Sequence, residues 1–144
     1  MKRFSYTSLA VVSVLALASC GSSSKVSEKD AAGCKELAVN ATGTINDISA
    51  WMRQQPSSEG TRAGYEAAME VANTMADTSL KAKDLSSKAS SKETKKIYDA
   101  IEVSFREAAL AIASRGGSFE SGEMELLKKA VGTAEDMSKF CGIE

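Results

Sequence analysis

Histidine is absent from the whole sequence, and this absence excludes more chemistry than any other feature of the composition. Without histidine there is no Ser-His or Cys-His nucleophile and no imidazole ligand for zinc or iron. A ferritin-like di-iron bundle is excluded as well, because it needs Glu-x-x-His motifs. A glycine-rich phosphate loop followed by Lys-Ser or Lys-Thr is also missing. We therefore expect no enzyme, no metal and no cofactor.

Proline and aromatic residues are scarce. The chain has one proline, Pro56, and its aromatic residues make up 6% of the total. Alternating β-branched residues are rare, whereas alanine, lysine, glutamate and methionine are plentiful. Residues of this second group favour helices, so the composition predicts an all-α fold.

Four segments carry apolar residues at helical spacing, which predicts an up-down-up-down four-helix bundle. The predicted helices span Asp30–Gln54, Ser58–Ser86, Ser91–Ser114 and Gly122–Cys141. Pro56 ends the first, because proline disfavours helical geometry in the residue before it. Ser90 and Glu93 are spaced as a capping box for the third, which Gly116 and Gly117 end.

Long apolar runs are missing except at the N-terminus, where Leu9–Ala18 follows the basic residues Lys2 and Arg3. This run is far shorter than the roughly 20 residues of a membrane-spanning helix. A basic start followed by a short apolar run is typical of a signal peptide.

The residues that end this run, Leu17-Ala18-Ser19-Cys20, resemble the lipobox of bacterial lipoprotein precursors: an aliphatic residue, two small residues and a cysteine. The resemblance covers residues 1–20. It implies that residues 1–19 are removed and that the Cys20 thiol carries a diacylglyceryl group. An ordinary secretory signal is the alternative interpretation, but it does not require a cysteine at this position.

Such a lipid implies a protein anchored in the cell membrane or the outer membrane and facing the extracytoplasmic side. Two acyl chains hold a protein firmly, whereas one chain gives only marginal binding. Gly21 stands at the position where an aspartate would mark inner-membrane retention, so the choice of membrane stays open. We expect residues 20–30 to form the lipidated cysteine and a flexible tether, and residues 31–144 to form the bundle.

The charge balance argues against nucleic acid as a partner. The whole chain has a formal net charge of −1, and removing residues 1–19, which include Lys2 and Arg3 and no acidic residue, lowers it by two units to −3. A nucleic-acid binder needs a basic surface to displace counterions from phosphates.

Two cysteines remain besides Cys20, namely Cys34 and Cys141. In an oxidising compartment a single pair predicts one disulfide, with two free thiols as the alternative. In an up-down-up-down bundle the start of helix 1 and the end of helix 4 lie at the same end, which is where these cysteines fall. The disulfide and the topology are therefore consistent predictions.

Six lysines cluster around the predicted connection of helices 2 and 3, against Asp84 and Glu93. They are Lys81, Lys83, Lys88, Lys92, Lys95 and Lys96. This connection should lie at the membrane-proximal end, so one interpretation is that the lysines rest on anionic headgroups. The other is that they complement the dipole of helix 2 and solvate a loop.

The membrane-distal end should carry Trp51, Met52 and Phe119, which we predict to face outward and bind a partner. The alternative is that Trp51 covers the end of the core. The sequence thus favours a non-enzymatic binding module for an envelope or extracellular protein. The alternative is a carrier of an apolar small molecule between helices 2 and 3, either a lipid-like molecule or, less favoured, a haem held by Met75, Tyr65 or Tyr98. A third class, an enzyme, would need a serine, lysine or carboxylate site that the sequence does not reveal.

Overall fold

The computed structural model describes residues 26–58, 60–115 and 121–143, although the side chains of 55–58, 115 and 121 are outside the description. These residues form four helices: α1 (Glu28–Ser58), α2 (Arg62–Lys88), α3 (Lys92–Arg115) and α4 (Ser121–Cys141). Each helix packs against two neighbours in a closed ring, in the order α1, α2, α3, α4. The predicted all-α four-helix bundle is confirmed. The predicted signal peptide, Cys20 and Phe119 lie outside the described residues.

Apolar residues from all four helices meet in one core. Its largest side chains are almost fully buried, and they are Leu37, Ile48, Met75, Tyr98, Ile101, Phe105, Ile112 and Met137. Alanines fill much of the remaining seam, so the helices approach closely. The predicted apolar stripes therefore do face the core.

Hydroxyl groups bridge neighbouring helices inside the core. Thr44 and Thr78 share a hydrogen bond of 2.9 Å between α1 and α2, and Ser104 and Thr133 share one of 2.7 Å between α3 and α4. Ser79 Oγ donates to the Glu102 carbonyl at 2.8 Å between α2 and α3. Buried hydroxyls need such partners, so these bonds fix how the helices are aligned along their axes.

The end of α1, the start of α2 and the cap of α3 differ from the prediction. Helix α1 continues through Pro56 to Ser58. Proline removes a backbone hydrogen bond and crowds the carbonyl four residues earlier, but this cost falls on the last turn only, and the rest of the long helix is packed in the bundle. Helix α2 begins at Arg62, since Thr61 Oγ1 accepts from Gly64 N at 3.0 Å and caps it there. The expected capping residue Ser90 is also wrong by one position. Ser91 caps α3, accepting from Thr94 N at 3.0 Å.

The folded domain begins earlier than expected, because α1 already begins at Glu28. Ser27 caps this helix: its Oγ accepts from the backbone N–H of Asp30 at 3.3 Å. Asp30, placed at the end of the tether by the sequence, is 6% exposed and belongs to the folded domain.

A glycine ends α4. Gly142 has a φ of 68°, which is unfavourable for other residues. Ile143 N donates to the Ser138 carbonyl at 2.9 Å and Gly142 N to the Lys139 carbonyl at 3.2 Å, which is the Schellman pattern. This turn returns Ile143 to the bundle, where it packs against the core.

Candidate functional site

The predicted disulfide is present. Cys34 in the second turn of α1 is bonded to Cys141 at the end of α4, with 5.7 Å between the Cα atoms. It defines the disulfide end of the bundle, made of residues 26–34, 86–94 and 138–143. The other end, with the α1–α2 and α3–α4 connections, is the opposite end.

Asp30 forms a second link at the disulfide end. Its carboxylate accepts from Ser90 N at 3.0 Å and 3.1 Å and from Ser90 Oγ at 2.7 Å. Its backbone carbonyl accepts from the Tyr98 hydroxyl at 3.4 Å, and Ser27 Oγ lies 2.6 Å from Ser90 Oγ. The start of α1 is therefore joined to the α2–α3 connection and to α3, while the disulfide joins it to α4.

These contacts shift two pKa values in opposite directions. Burial alone would raise the pKa of the Asp30 carboxyl, but the hydrogen bonds from Ser90, Ser27 and Thr94 outweigh it and hold the pKa below the ordinary 3.8. Burial, helped by the negative charge of Asp30, raises the pKa of Tyr98 to about 12. Asp30 is thus a carboxylate, and Tyr98 a neutral hydroxyl, at ordinary pH.

The six-lysine cluster lies near the disulfide end, but half of it is ion-paired. Lys81 pairs with Glu36 at 2.5 Å, Lys88 with Asp84 at 2.6 Å and Lys95 with Asp99 at 3.3 Å. Glu36 and Asp99 come from outside the segment, so the fold reduces the local positive charge that the sequence shows. Within the described residues, Lys83, Lys92 and Lys96 make no ion pair.

Trp51 does not face outward as expected. Only 4% of its surface is exposed, and it belongs to the core cluster near the opposite end. Its position three residues after Ile48 places it on the buried side of α1, so it covers the end of the core. Met52 is half-buried, and its role in binding stays a prediction.

The exposed large apolar side chains point to a different surface. Leu80 and Leu110 are each 63% exposed, and both line a groove of about 370 Å³ on the outer face of α2 and α3. Alanines form its floor, and Lys83, Glu102 and Arg106 lie at its rim. We call this surface the α2–α3 groove.

A larger groove runs between α1 and α4, above the disulfide. It measures about 650 Å³, and the residues that line it are Thr42, Ile45, Val131, Ala134, Glu135, Ser138, Lys139 and Ile143. Four of these are apolar, and the charged residues Glu135 and Lys139 are exposed to solvent. We call this the α1–α4 groove.

The third surface, between α1 and α2, is lined mostly by polar residues. This groove measures about 530 Å³, and Asp47 and Asp77 line it together with Thr44 and Thr78. The two threonines already bond to each other. The groove therefore presents the carboxylates of Asp47 and Asp77, whereas the hydroxyls of Thr44 and Thr78 already have hydrogen-bond partners.

Comparison with known proteins identifies no relative of this chain. No family model matches the chain, and no curated protein or solved structure does so either.

The residues considered for haem are not brought together. Met75 is fully buried in the core, and Tyr98 is buried at the disulfide end, where its hydroxyl is bonded to Asp30. Tyr65 is 51% exposed and lies near the start of α2, toward the opposite end. Among the described residues, no three acidic or cysteine side chains converge as metal ligands.

None of the described helices is long and apolar enough to cross a membrane.

Sequence reasoning missed Asp30, the two leucines and Ile143. Gly142, directly after the last periodic residue of α4, was the signal for the turn that buries Ile143. Leu80 and Leu110 lie off the predicted stripes of their helices, which was a signal of exposure. Asp30 gave no signal, because its partner Ser90 is 60 residues away in sequence.

Proposed function

We propose that this chain is a lipid-anchored protein of the bacterial envelope, held by Cys20 on the extracytoplasmic side of the cell or outer membrane. Its helical bundle binds another envelope or extracellular protein and catalyses no reaction. The absence of histidine and the lipobox resemblance motivate both parts of this proposal.

One observation supports the proposed lipid anchor: the chain enters the bundle at the end that the disulfide closes. Val26 packs against the core there, and Cys34 follows eight positions later in a bond to Cys141. Disulfides persist in oxidising compartments, which supports a place outside the cytoplasm. With the disulfide end toward the membrane, the grooves on the sides of the bundle stay accessible.

The α2–α3 groove supports the binding part. Two of the exposed large apolar side chains, Leu80 and Leu110, flank the same alanine floor. Exposed leucines are unremarkable when scattered, but apolar side chains gathered inside a charged rim are typical of protein-binding sites. Glu102 already pairs with Arg106 at 2.6 Å, so the rim needs no charged ligand.

A photo-cross-linking amino acid at selected positions tests this binding in intact cells. We expect position 80 to give one dominant, mass-identified adduct, and the change Leu110→Ser to abolish it by removing the other flank. Val39, 60% exposed on the α1 side, is the matched control position. Equal adducts at positions 39 and 80 would contradict the proposed surface. Adducts only at positions 52 and 119 would indicate that the partner binds at the opposite end of the bundle, as the sequence predicts.

A second candidate function is a carrier for an apolar small molecule. The α1–α4 groove favours it, since about 650 Å³ lies within the usual range of ligand sites. This groove lies away from helices 2 and 3, where the sequence had led us to expect the ligand. Native mass spectrometry of the protein from cells tests the idea: a copurifying lipid-sized mass supports it, and a ligand-free spectrum refutes it.

A further inference from the structure

One end of the α1–α4 groove reaches the disulfide end of the bundle, where α1 also begins. Ile143 lies at its disulfide end, directly after the turn that ends α4, and Val131 lies at its far end. The α4 residues that line it run from Val131 to Lys139, so the groove follows α4 for eight residue steps, or about 12 Å at 1.5 Å per residue. It is a long apolar channel with an open side.

The chemistry of the groove is that of a site for a hydrocarbon chain. Ile45, Val131, Ala134 and Ile143 form its walls. Its charged residues, Glu135 and Lys139, are exposed. They make no ion pair within the described residues, and two hydroxyl residues, Thr42 and Ser138, line the groove besides them.

An acyl chain of the lipid expected on Cys20 is within reach of this groove. Six residue steps separate Cys20 from Val26, which is packed against the core at the disulfide end. A fully extended chain of that length spans about 20 Å. The lipid that the lipobox implies on Cys20 is therefore confined to within that distance of the disulfide end, which the groove reaches, and so is present there at a high effective concentration.

We propose that one acyl chain of the Cys20 lipid lies in the α1–α4 groove whenever the protein is outside a bilayer. This inference rests on the proposed lipid anchor. A tethered chain does not have to be captured from solution, so it occupies the groove ahead of a free lipid at ordinary concentration. Bilayer hydrocarbon competes with the groove, so the chain leaves it when the protein inserts into a membrane.

Photo-cross-linking through the lipid itself tests the proposal on the full mature protein. Cells are grown with a diazirine-bearing fatty acid, and the lipidated protein is isolated and irradiated in aqueous buffer or in phospholipid vesicles. We expect internal cross-links that map to α1 around residues 42–45 and to α4 around 131–139. In vesicles their yield should fall several-fold.

A pair of variants controls the assignment. Thr42→Trp places an indole over the groove and should reduce these cross-links several-fold. Val39→Trp, on the same helix but facing the α1–α2 groove, should leave them unchanged. Equal yields in both variants, or cross-links spread over α2 and α3, would overturn the proposal.

Two further readouts separate the sources of failure. The intact mass of the same sample shows whether Cys20 is lipidated; an unlipidated protein refutes the anchor and this inference together. A lipidated protein without groove cross-links refutes only the inference. In the third arm, the diazirine fatty acid is added only as a free compound to protein from unlabelled cells. Groove labelling there at the same yield would assign the site to an external lipid and overturn the tethered occupant.

Discussion

The carboxylate of Asp30 accepts the backbone N–H of Ser90 at 3.0 Å and its hydroxyl at 2.7 Å, across 60 positions of sequence. With the Cys34–Cys141 bond, this contact joins the start of α1 to the α2–α3 connection and to α4. The end of the bundle proposed to face the membrane is therefore held by a covalent bond as well as by hydrogen bonds.

Replacing this carboxylate should destabilise the fold. Asp30→Asn puts an amide where two donors of Ser90 need an acceptor, so we expect the free energy of unfolding to fall by about 1–3 kcal/mol. Urea unfolding followed by circular dichroism measures it. Asp84→Asn is the matched control, because its carboxylate is 59% exposed and forms a surface ion pair with Lys88; we expect less than about 0.5 kcal/mol there. Equal losses in the two variants would contradict the structural role of Asp30.

Acid should remove the same stabilisation. The pKa of Asp30 is lowered in the folded protein from an ordinary 3.8. The unfolded chain therefore binds the proton first as pH falls, and the contribution of Asp30 is complete above that value. It is lost as pH falls through the lower, folded pKa. Across this acid range, the free energy of unfolding should fall more steeply with falling pH in the wild type than in Asp30→Asn. Equal slopes in the two proteins would exclude Asp30 as the cause.

Tyr98 gives the opposite dependence at alkaline pH. Its pKa rises from 10.0 to about 12, so the folded protein keeps a proton that the unfolded chain loses. The stabilisation is complete below pH 10.0 and is lost as pH rises toward about 12. Phenolate absorbance of the mature protein with Tyr65→Phe isolates Tyr98. Adding Asp30→Asn should lower the midpoint, because it removes the negative charge; an unchanged midpoint would contradict that coupling.

Two glycines of α1 should respond differently to alanine. A Cβ at Gly43 meets nothing within 4 Å, whereas one at Gly33 would lie 2.9 Å from Leu85 Cδ2. Alanine in a helix is favoured over glycine by about 0.5–1 kcal/mol. We therefore expect Gly43→Ala to raise the unfolding free energy by that amount and Gly33→Ala to raise it less or lower it. Thermal unfolding of both variants measures the difference, and an equal gain would show that α1 does not approach Leu85 closely.

Much of the fold could be predicted from local patterns, but the surfaces could not. Apolar spacing along each helix indicated the core, and the positions of Cys34 and Cys141 indicated the disulfide, because both depend on period and topology. Trp51 was misplaced although its distance from Ile48 matches the buried stripe. The Asp30 contact depends on the shape of the α2–α3 connection. Whether Leu80 and Leu110 share a groove depends on how α2 and α3 are aligned, which no local pattern specifies.

The central claim is that a disulfide-closed bundle is anchored by a lipid on Cys20, and the intact mass of the protein extracted from membranes tests it most directly. We predict a chain that begins at Cys20, carries a diacylglyceryl group and takes up no thiol label before reduction. After reduction it should take up two labels, at Cys34 and Cys141. A chain cut elsewhere without lipid, or one that takes up two labels before reduction, would contradict the claim.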